Sequence, residues 1–187
     1  MASEVSIANS ALQKIGGGSV TSLTEDSRNA RAVNACYEEM RDAELRANAW
    51  NFGRKTAILA PDSAAPVDTD YTYAFTLPTD CLKPLPPARY ALDWQIEGGK
   101  ILTNDGTSIK LKYVWRVEDP NVMDVLFREM LACRIASQIC YEITQSNTLI
   151  QGIGEQYKMA KLEARKSNAF ERNSDEPPED GWLVARR

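Results

Sequence analysis

Residues 122–143 read VMDVLFREMLACRIASQICYEI, and this stretch decides the fold. Asp124, Arg128, Gln138 and Glu142 fall on one narrow stripe of a helical wheel, and nearly every other face is apolar. Such a helix has to be covered on at least two sides. Asp119-Pro120 before it is a helix-start signal, because proline is tolerated in the first turn. The spacing predicts a helix over about 121–144 inside a helical bundle.

Three further helices are predicted around it. Ser3 can cap the first, and Ile7, Ala8, Ala11, Leu12 and Ile15 follow at helical spacing. Gly16, Gly17 and Gly18 stop it, giving a helix over about 3–15. Ser22 and Glu25 have capping-box spacing, and Thr24 is a further cap candidate. Ala30, Val33, Tyr37, Met40, Ala43, Ala47 and Trp50 then form one stripe, with Glu38, Arg41, Asp42 and Arg46 opposite. That predicts a long amphipathic helix over about 25–49. A last helix, over about 148–170, carries Ile150, Ile153, Tyr157, Ala160 and Ala164 on one face. Gly152 and Gly154 weaken its first turns.

Between the second and third long helices the hydrophobic period changes to two. Tyr71, Tyr73, Phe75 and Leu77 alternate with Thr72, Ala74 and Thr76; Leu92, Trp94 and Ile96 with Asp93 and Gln95; and Ile109, Leu111, Tyr113 and Trp115 with Lys110, Lys112 and Val114. Gly98-Gly99 and Asp105-Gly106 accept positive φ and predict hairpin turns. Pro78, Pro84, Pro86 and Pro87 mark a loop. The fold class is therefore α+β, mainly α. An antiparallel helical bundle carries a small antiparallel β-sheet, inserted over about 54–117. One domain spans 1–170, and an extended C-terminal tail follows over 171–187.

Composition narrows the function. The chain has 187 residues, 43% hydrophobic and 26% charged, which is ordinary for a soluble globular domain. A chain of this size buries roughly 70% of its unfolded surface. With 22 basic and 26 acidic residues the net charge is −4, which argues against a protein that coats nucleic acid. Histidine is absent, which excludes the Ser-His-Asp triad, the Cys-His pair and His-containing zinc sites. Cys36, Cys81, Cys133 and Cys140 form no CxxC pair and read as reduced structural thiols. No cofactor or metal is expected. No apolar run is long enough to span a membrane, and the polar N-terminus does not read as a signal peptide. The expected compartment is cytoplasm-like.

Few residues suggest chemistry. Gly16-Gly17-Gly18 follows a helix, whereas a phosphate-binding loop follows a strand and carries GxxxxGK[ST]. Glu38-Glu39 and Glu179-Asp180 are carboxylate pairs on a solvated helix face and in the tail. Cys81, in a loop, is the candidate nucleophile of an enzyme reading. Lys158, Lys161 and Arg165 form a basic stripe on the last helix, suited to an acidic partner or phosphates. The tail is polar and proline-containing, yet Trp182, Leu183 and Val184 interrupt it before Arg186-Arg187. Ordering about fifteen residues costs on the order of 15–30 kcal/mol of backbone entropy. Burying a tryptophan of about 200 Å² returns about 5 kcal/mol. The tail therefore stays unordered or binds a partner, and Trp182, Leu183, Arg186 and Arg187 are its candidate contacts.

The order of these segments resembles phage head-to-tail adaptor proteins, called tail tubular protein A in short-tailed phages. The resemblance rests on the opening SIANSALQKIG, on Leu23-Thr24-Glu25-Asp26-Ser27, on Tyr37 and Arg41-Asp42, and on Trp50-Asn51-Phe52. It continues through Tyr73-Ala74-Phe75, Leu77-Pro78-Thr79-Asp80-Cys81-Leu82, Leu111-Lys112-Tyr113-Val114 and Glu118-Asp119-Pro120, covering about residues 3–170. It implies a structural virion protein without catalytic activity, in the neck between capsid portal and tail, and in the host cytoplasm during assembly. Its expected partners are the portal protein, a tail tube, nozzle or tail-completion protein, and further copies of itself in a dodecamer. DNA would pass through the ring without sequence-specific binding, and no membrane is involved. The resemblance also implies a C-terminal segment that reaches along the portal. The alternatives are a monomeric tail-completion or neck protein, a carboxylate- or Cys81-based enzyme, and a helical nucleic-acid binder.

Overall fold

A computed structural model describes residues 1–64, 66, 70–85, 93–106 and 108–171. Leu92, Pro86, Pro87 and the tail residues Trp182, Leu183, Arg186 and Arg187 lie outside them. The fold is the expected α+β, mainly α arrangement: among the described residues there are four helices, with a β-unit between the second and third.

Helix α1 spans Glu4–Lys14. Ser3 and Ser6 exchange side-chain and backbone hydrogen bonds at its start. Its end follows the glycine pattern. Gly16 sits at φ +72°, its N–H reaches the Gln13 carbonyl, and the Gly17 N–H reaches the Leu12 carbonyl at 2.8 Å. This is the Schellman arrangement, which satisfies two carbonyls that have no intrahelical donor. Asn9 then holds the outgoing chain, accepting from the Val20 N–H at 2.7 Å and donating to its carbonyl at 2.9 Å.

Helix α2 spans Arg28–Ala47, shorter than predicted at both ends. Its N-cap is Ser27, which accepts from the Ala30 N–H. Glu25 instead turns back on the preceding loop, where its carboxylate accepts from the Thr21 hydroxyl and the Thr21 and Ser22 amides. The buried stripe also drifts. Ala43 and Ala47 are exposed, whereas Arg41, Glu44 and Leu45 are buried. Alanine gains little from burial, and Arg41 and Glu44 find partners, so the helix turns those positions inward. Trp50 lies beyond the helix and is folded back, its indole N–H donating to the Glu44 carbonyl at 2.9 Å. Its ring meets Phe127 edge-on at 5.2 Å, and Phe52 meets the same ring at 5.0 Å.

The β-unit is two sheets rather than one. Strands β1 (Arg54–Leu59), β6 (Ile109–Trp115) and β3 (Cys81–Pro84) form the first, in the order β1-β6-β3. Strands β2 (Tyr73–Thr76), β5 (Lys100–Thr103) and β4 (Trp94–Glu97) form the second, in the order β2-β5-β4. All pairings are antiparallel. Gly98 and Gly99, both at positive φ, make the predicted tight turn of the β4–β5 hairpin. Asp105-Gly106 makes no hairpin, because β5 and β6 belong to different sheets. The chain crosses between sheets there so that Phe75 and Ile101 of one pack on Leu111 and Tyr113 of the other.

Helix α3 spans Val125–Thr144 and starts later than predicted. Asp119 caps only a turn, accepting from the Asn121 N–H at 2.9 Å, and the true N-cap is Asp124, which accepts from Leu126 and Phe127. Gln145, in the left-handed region, ends α3, and Ser146 caps α4 (Asn147–Phe170). Helices α1, α2 and α4 all pack on α3. Phe127, Met130, Leu131, Cys133, Ile135, Ala136, Ile139 and Cys140 are buried among them, as an all-round apolar helix requires.

Two tests follow. Gly16→Ala should cost about 1 kcal/mol, from the left-handed backbone alone, since nothing lies within 4 Å of the added carbon. Gly18→Ala, at ordinary φ with only an ordinary contact, should be near neutral in the same denaturant titration. Glu25 is held down to about 2 by the Thr21 hydroxyl and the nearby amides, against an ordinary value of 4.5. The stability it supplies is present above 4.5 and is lost as pH falls toward 2, which side-chain carbon NMR should follow.

Candidate interaction surface

Tyr157, Lys161, Ile153 and Ala164 fall on one side of α4, so burying the apolar members turns the polar tips into the bundle too. The carboxylate they meet is Glu44 of α2, only 4% exposed. The Tyr157 hydroxyl donates to Glu44 Oε1, and the Lys161 ammonium lies 2.9 Å from Oε2 and 2.8 Å from the Tyr157 oxygen. Arg134 of α3 brings its Nε to 3.9 Å from Oε1, an ion-pair distance, and its guanidinium lies over the Tyr157 ring at 5.4 Å. Three helices thus meet at one buried charge.

The electrostatics are those of a structural ion cluster, in which Arg134 Nε stands at ion-pair distance without a hydrogen bond. Burial pushes the Tyr157 hydroxyl up, and its bond to Glu44 adds to the effect. Burial works to lower Lys161, but its bonds to Tyr157 and Glu44 outweigh this and raise it. Farther along α4, Asn168 fixes the α2–β1 connection, accepting from the Asn51 N–H at 2.7 Å.

With that side locked inward, the opposite side of α4 is set. Met159 is 68% exposed, Leu162 49% and Phe170 90%, and Lys158, Arg165 and Lys166 are exposed around them. Glu155 and Glu163 are exposed on the same helix. The predicted basic stripe is therefore split. Lys158 and Arg165 face solvent, while Lys161 is turned to Glu44. The i, i+4, i+7 relation of Tyr157, Lys161 and Ala164 was the available signal that Lys161 sits on the core side.

The other candidates lie elsewhere. Cys81 is half-buried in β3, and burial with the Asp80 charge pushes its thiol up, the opposite of nucleophile activation. Cys133 and Cys140 are buried in α3. Glu38 and Glu39 are exposed on α2. Among the described residues no group of three or more His, Cys, Asp or Glu side chains is placed to hold a metal ion. No described helix is long and apolar enough to cross a membrane. Neither protein-family models nor curated proteins give a match to this chain.

The second polar cluster corrects the reading of α2. Arg41, 3% exposed, donates from Nε to Asp42 at 2.9 Å, and Asp42 also accepts from Arg116 at 2.8 Å. Arg46 donates to the Leu82 carbonyl. Part of the face expected in solvent, at Arg41, Asp42 and Arg46, therefore seats the β-unit, while Glu38 stays exposed.

Removing the central carboxylate should be costly. Glu44→Ala should destabilise by about 3 kcal/mol, because Lys161 and Arg134 lose their counter-ion in a partly buried site. Tyr157→Phe should cost less, about 2 kcal/mol, for one hydrogen bond to a charged acceptor. In the wild type the Lys161 contribution is complete below its ordinary value of 10.5 and lost as pH rises above it. Urea midpoints measured from neutral to alkaline pH should show that loss in the wild type and a flatter curve in Lys161→Met.

Proposed function

We propose that this chain is a structural virion protein, a head-to-tail adaptor that forms a ring beneath the portal, docks the tail and lines the DNA channel. The family resemblance of residues 3–170 supports this reading. The observation that carries it is the outer face of α4. Met159, Leu162 and Phe170 stand exposed among basic and acidic residues on a helix locked from behind, before the tail that holds Trp182. Large exposed apolar side chains set among charged ones on a helix face are a feature of protein-binding surfaces. A ring needs such heterologous surfaces, each copy meeting the next head-to-tail.

On this reading the chain is not an enzyme and uses no cofactor. Its partners are the portal protein, a tail tube, nozzle or tail-completion protein, and its own copies, in a dodecamer. The acidic balance suits a lumen that lets DNA pass. The protein belongs to the virion neck, after assembly in the host cytoplasm. Trp182, Leu183, Arg186 and Arg187 reach the portal, and Lys158 and Arg165 supply basic contacts beside them. Lys161 is reserved for Glu44.

Mixing the purified protein with the portal ring of the same phage, then imaging by negative-stain electron microscopy, tests the role. An added layer on the portal is expected. The triple variant Trp182→Ala, Arg186→Ala, Arg187→Ala should lose that layer while keeping its helical circular dichroism. A bare portal with the wild-type protein would refute the reading.

A further inference from the structure

Strand β1 is an edge of the first sheet and pairs only with β6. The Trp115 N–H donates to the Gly53 carbonyl at 3.0 Å, and the Leu85 N–H to the Lys112 carbonyl at 2.9 Å, which sets the phase of the ladder. Gly53 and Trp115 face each other as a hydrogen-bonded pair. By alternation Lys55, Ala57 and Leu59 turn their amides and carbonyls toward β6. Those of Thr56 and Ile58 point the other way, and among the described residues nothing meets them. Both residues are exposed, Ile58 at 75%. Such a row is a template for another strand, which proteins ordinarily guard with a charge, a proline or a bulge. The register of β1 on β6 is unbroken, and the charges on β1 are engaged elsewhere. Lys55 is turned to Asp80 and the Trp115 ring, and Arg54 donates to the Ala49 carbonyl.

A second observation on the same face supplies the chemistry. Lys112 stands opposite Thr56 and Lys110 opposite Ile58, in the closely spaced pairs of the ladder. Both lysines are exposed, and neither has an ion-pair partner among the described residues. Lys55 and Lys100 of the same β-unit, by contrast, are paired with Asp80 and Asp62. We propose that the free edge of β1 accepts an extended acidic segment of a partner protein as an added strand. Backbone bonds to Thr56 and Ile58 hold the segment, and side chains on alternate positions select it. An apolar side chain rests on Ile58. A carboxylate over the shorter Thr56 meets Lys112, since the added strand lies two strand spacings, about 10 Å, from β6. Nucleic acid could use the lysines but would leave the edge N–H and C=O groups unanswered, whereas a peptide backbone answers both. The proposal goes beyond the adaptor reading and does not depend on it.

The peptide Thr-Glu-Thr-Val-Thr-Glu-Thr, labelled with fluorescein, tests it on the full chain by anisotropy. It sets one valine between two glutamates on a single face, so it suits either strand direction. Saturable binding is expected, with slowed amide exchange at Thr56 and Ile58 by NMR. Lys110→Glu combined with Lys112→Glu should weaken binding about tenfold. Ile58→Pro should abolish it, because the lost N–H points outward and the bonds to β6 are spared. Circular dichroism checks that variant, and the same peptide with an N-methylated backbone, which should not bind, repeats the test without touching the protein. No saturation below about 1 mM peptide would overturn the proposal. So would equal binding of Thr-Lys-Thr-Val-Thr-Lys-Thr, retained binding of the N-methylated peptide, or binding without slowed exchange at Thr56 and Ile58. A preference of the same lysines for a DNA duplex over the peptide would also overturn it. The portal experiment can succeed or fail independently of these results.

Discussion

Helix α3 is apolar around nearly its whole circumference, and water is unavailable to most of its length at low cost. Phe127, Met130, Leu131, Ile135 and Ile139 each need a neighbour, and no single helix offers a wide enough face. Helices α1, α2 and α4 therefore surround α3. The Schellman end of α1 and the Asn9 clasp on Val20 steer the chain from the first cover to the second. Trp50 and Phe52, closing on Phe127, steer it out of the bundle and into the β-unit.

Apolar cover alone would leave the rotation of α4 loosely specified, since its buried residues, Ile153 and Ala164, with Ala160 half-buried beside them, make a short and small stripe. Glu44 supplies the missing specification. A buried carboxylate is tolerable only if its partners arrive in the right geometry, and Tyr157, Lys161 and Arg134 all have to meet it. Satisfying that charge fixes which side of α4 faces inward. The exposed Met159, Leu162 and Phe170 face is the geometric consequence. Asp42 plays the corresponding part on α2, joining Arg41 to Arg116 where the β-unit meets the bundle.

Strands β1 and β5 show no apolar alternation, and β3, at Cys81–Pro84, lies in the stretch read as a proline-marked loop. The four helices and strands β2, β4 and β6 were legible in the sequence because each rests on a local period, 3.6 or two. The first cap, the glycine stop and the Gly98-Gly99 turn were legible for the same reason, since Ser3, Gly16 and the glycine pair act on neighbouring backbone. Boundaries failed where two local signals competed. Ser22 with Glu25 and Asp119 with Pro120 do form capped turns, but Ser27 and Asp124 stand closer to the apolar runs and take the helix ends. The basic stripe was half legible. Lys158, Lys161 and Arg165 are close in sequence, but only a partner on another helix separates Lys161 from the rest.

By itself the sequence determined the fold class, the order of the helices around a β-unit and the need to cover α3, because burying α3 leaves few other arrangements. The tertiary structure decided the division of the β-unit into two sheets, since strand pairing depends on contacts distant in the chain. It also decided the inward turn of Arg41 and Glu44, and with it the outward face of α4. A charged residue reads as solvent-facing until its counter-ion is known. Arg134 and Lys161, the counter-ions of Glu44, lie on other helices far along the chain, and Arg41 pairs with its neighbour Asp42, which in turn meets the distant Arg116.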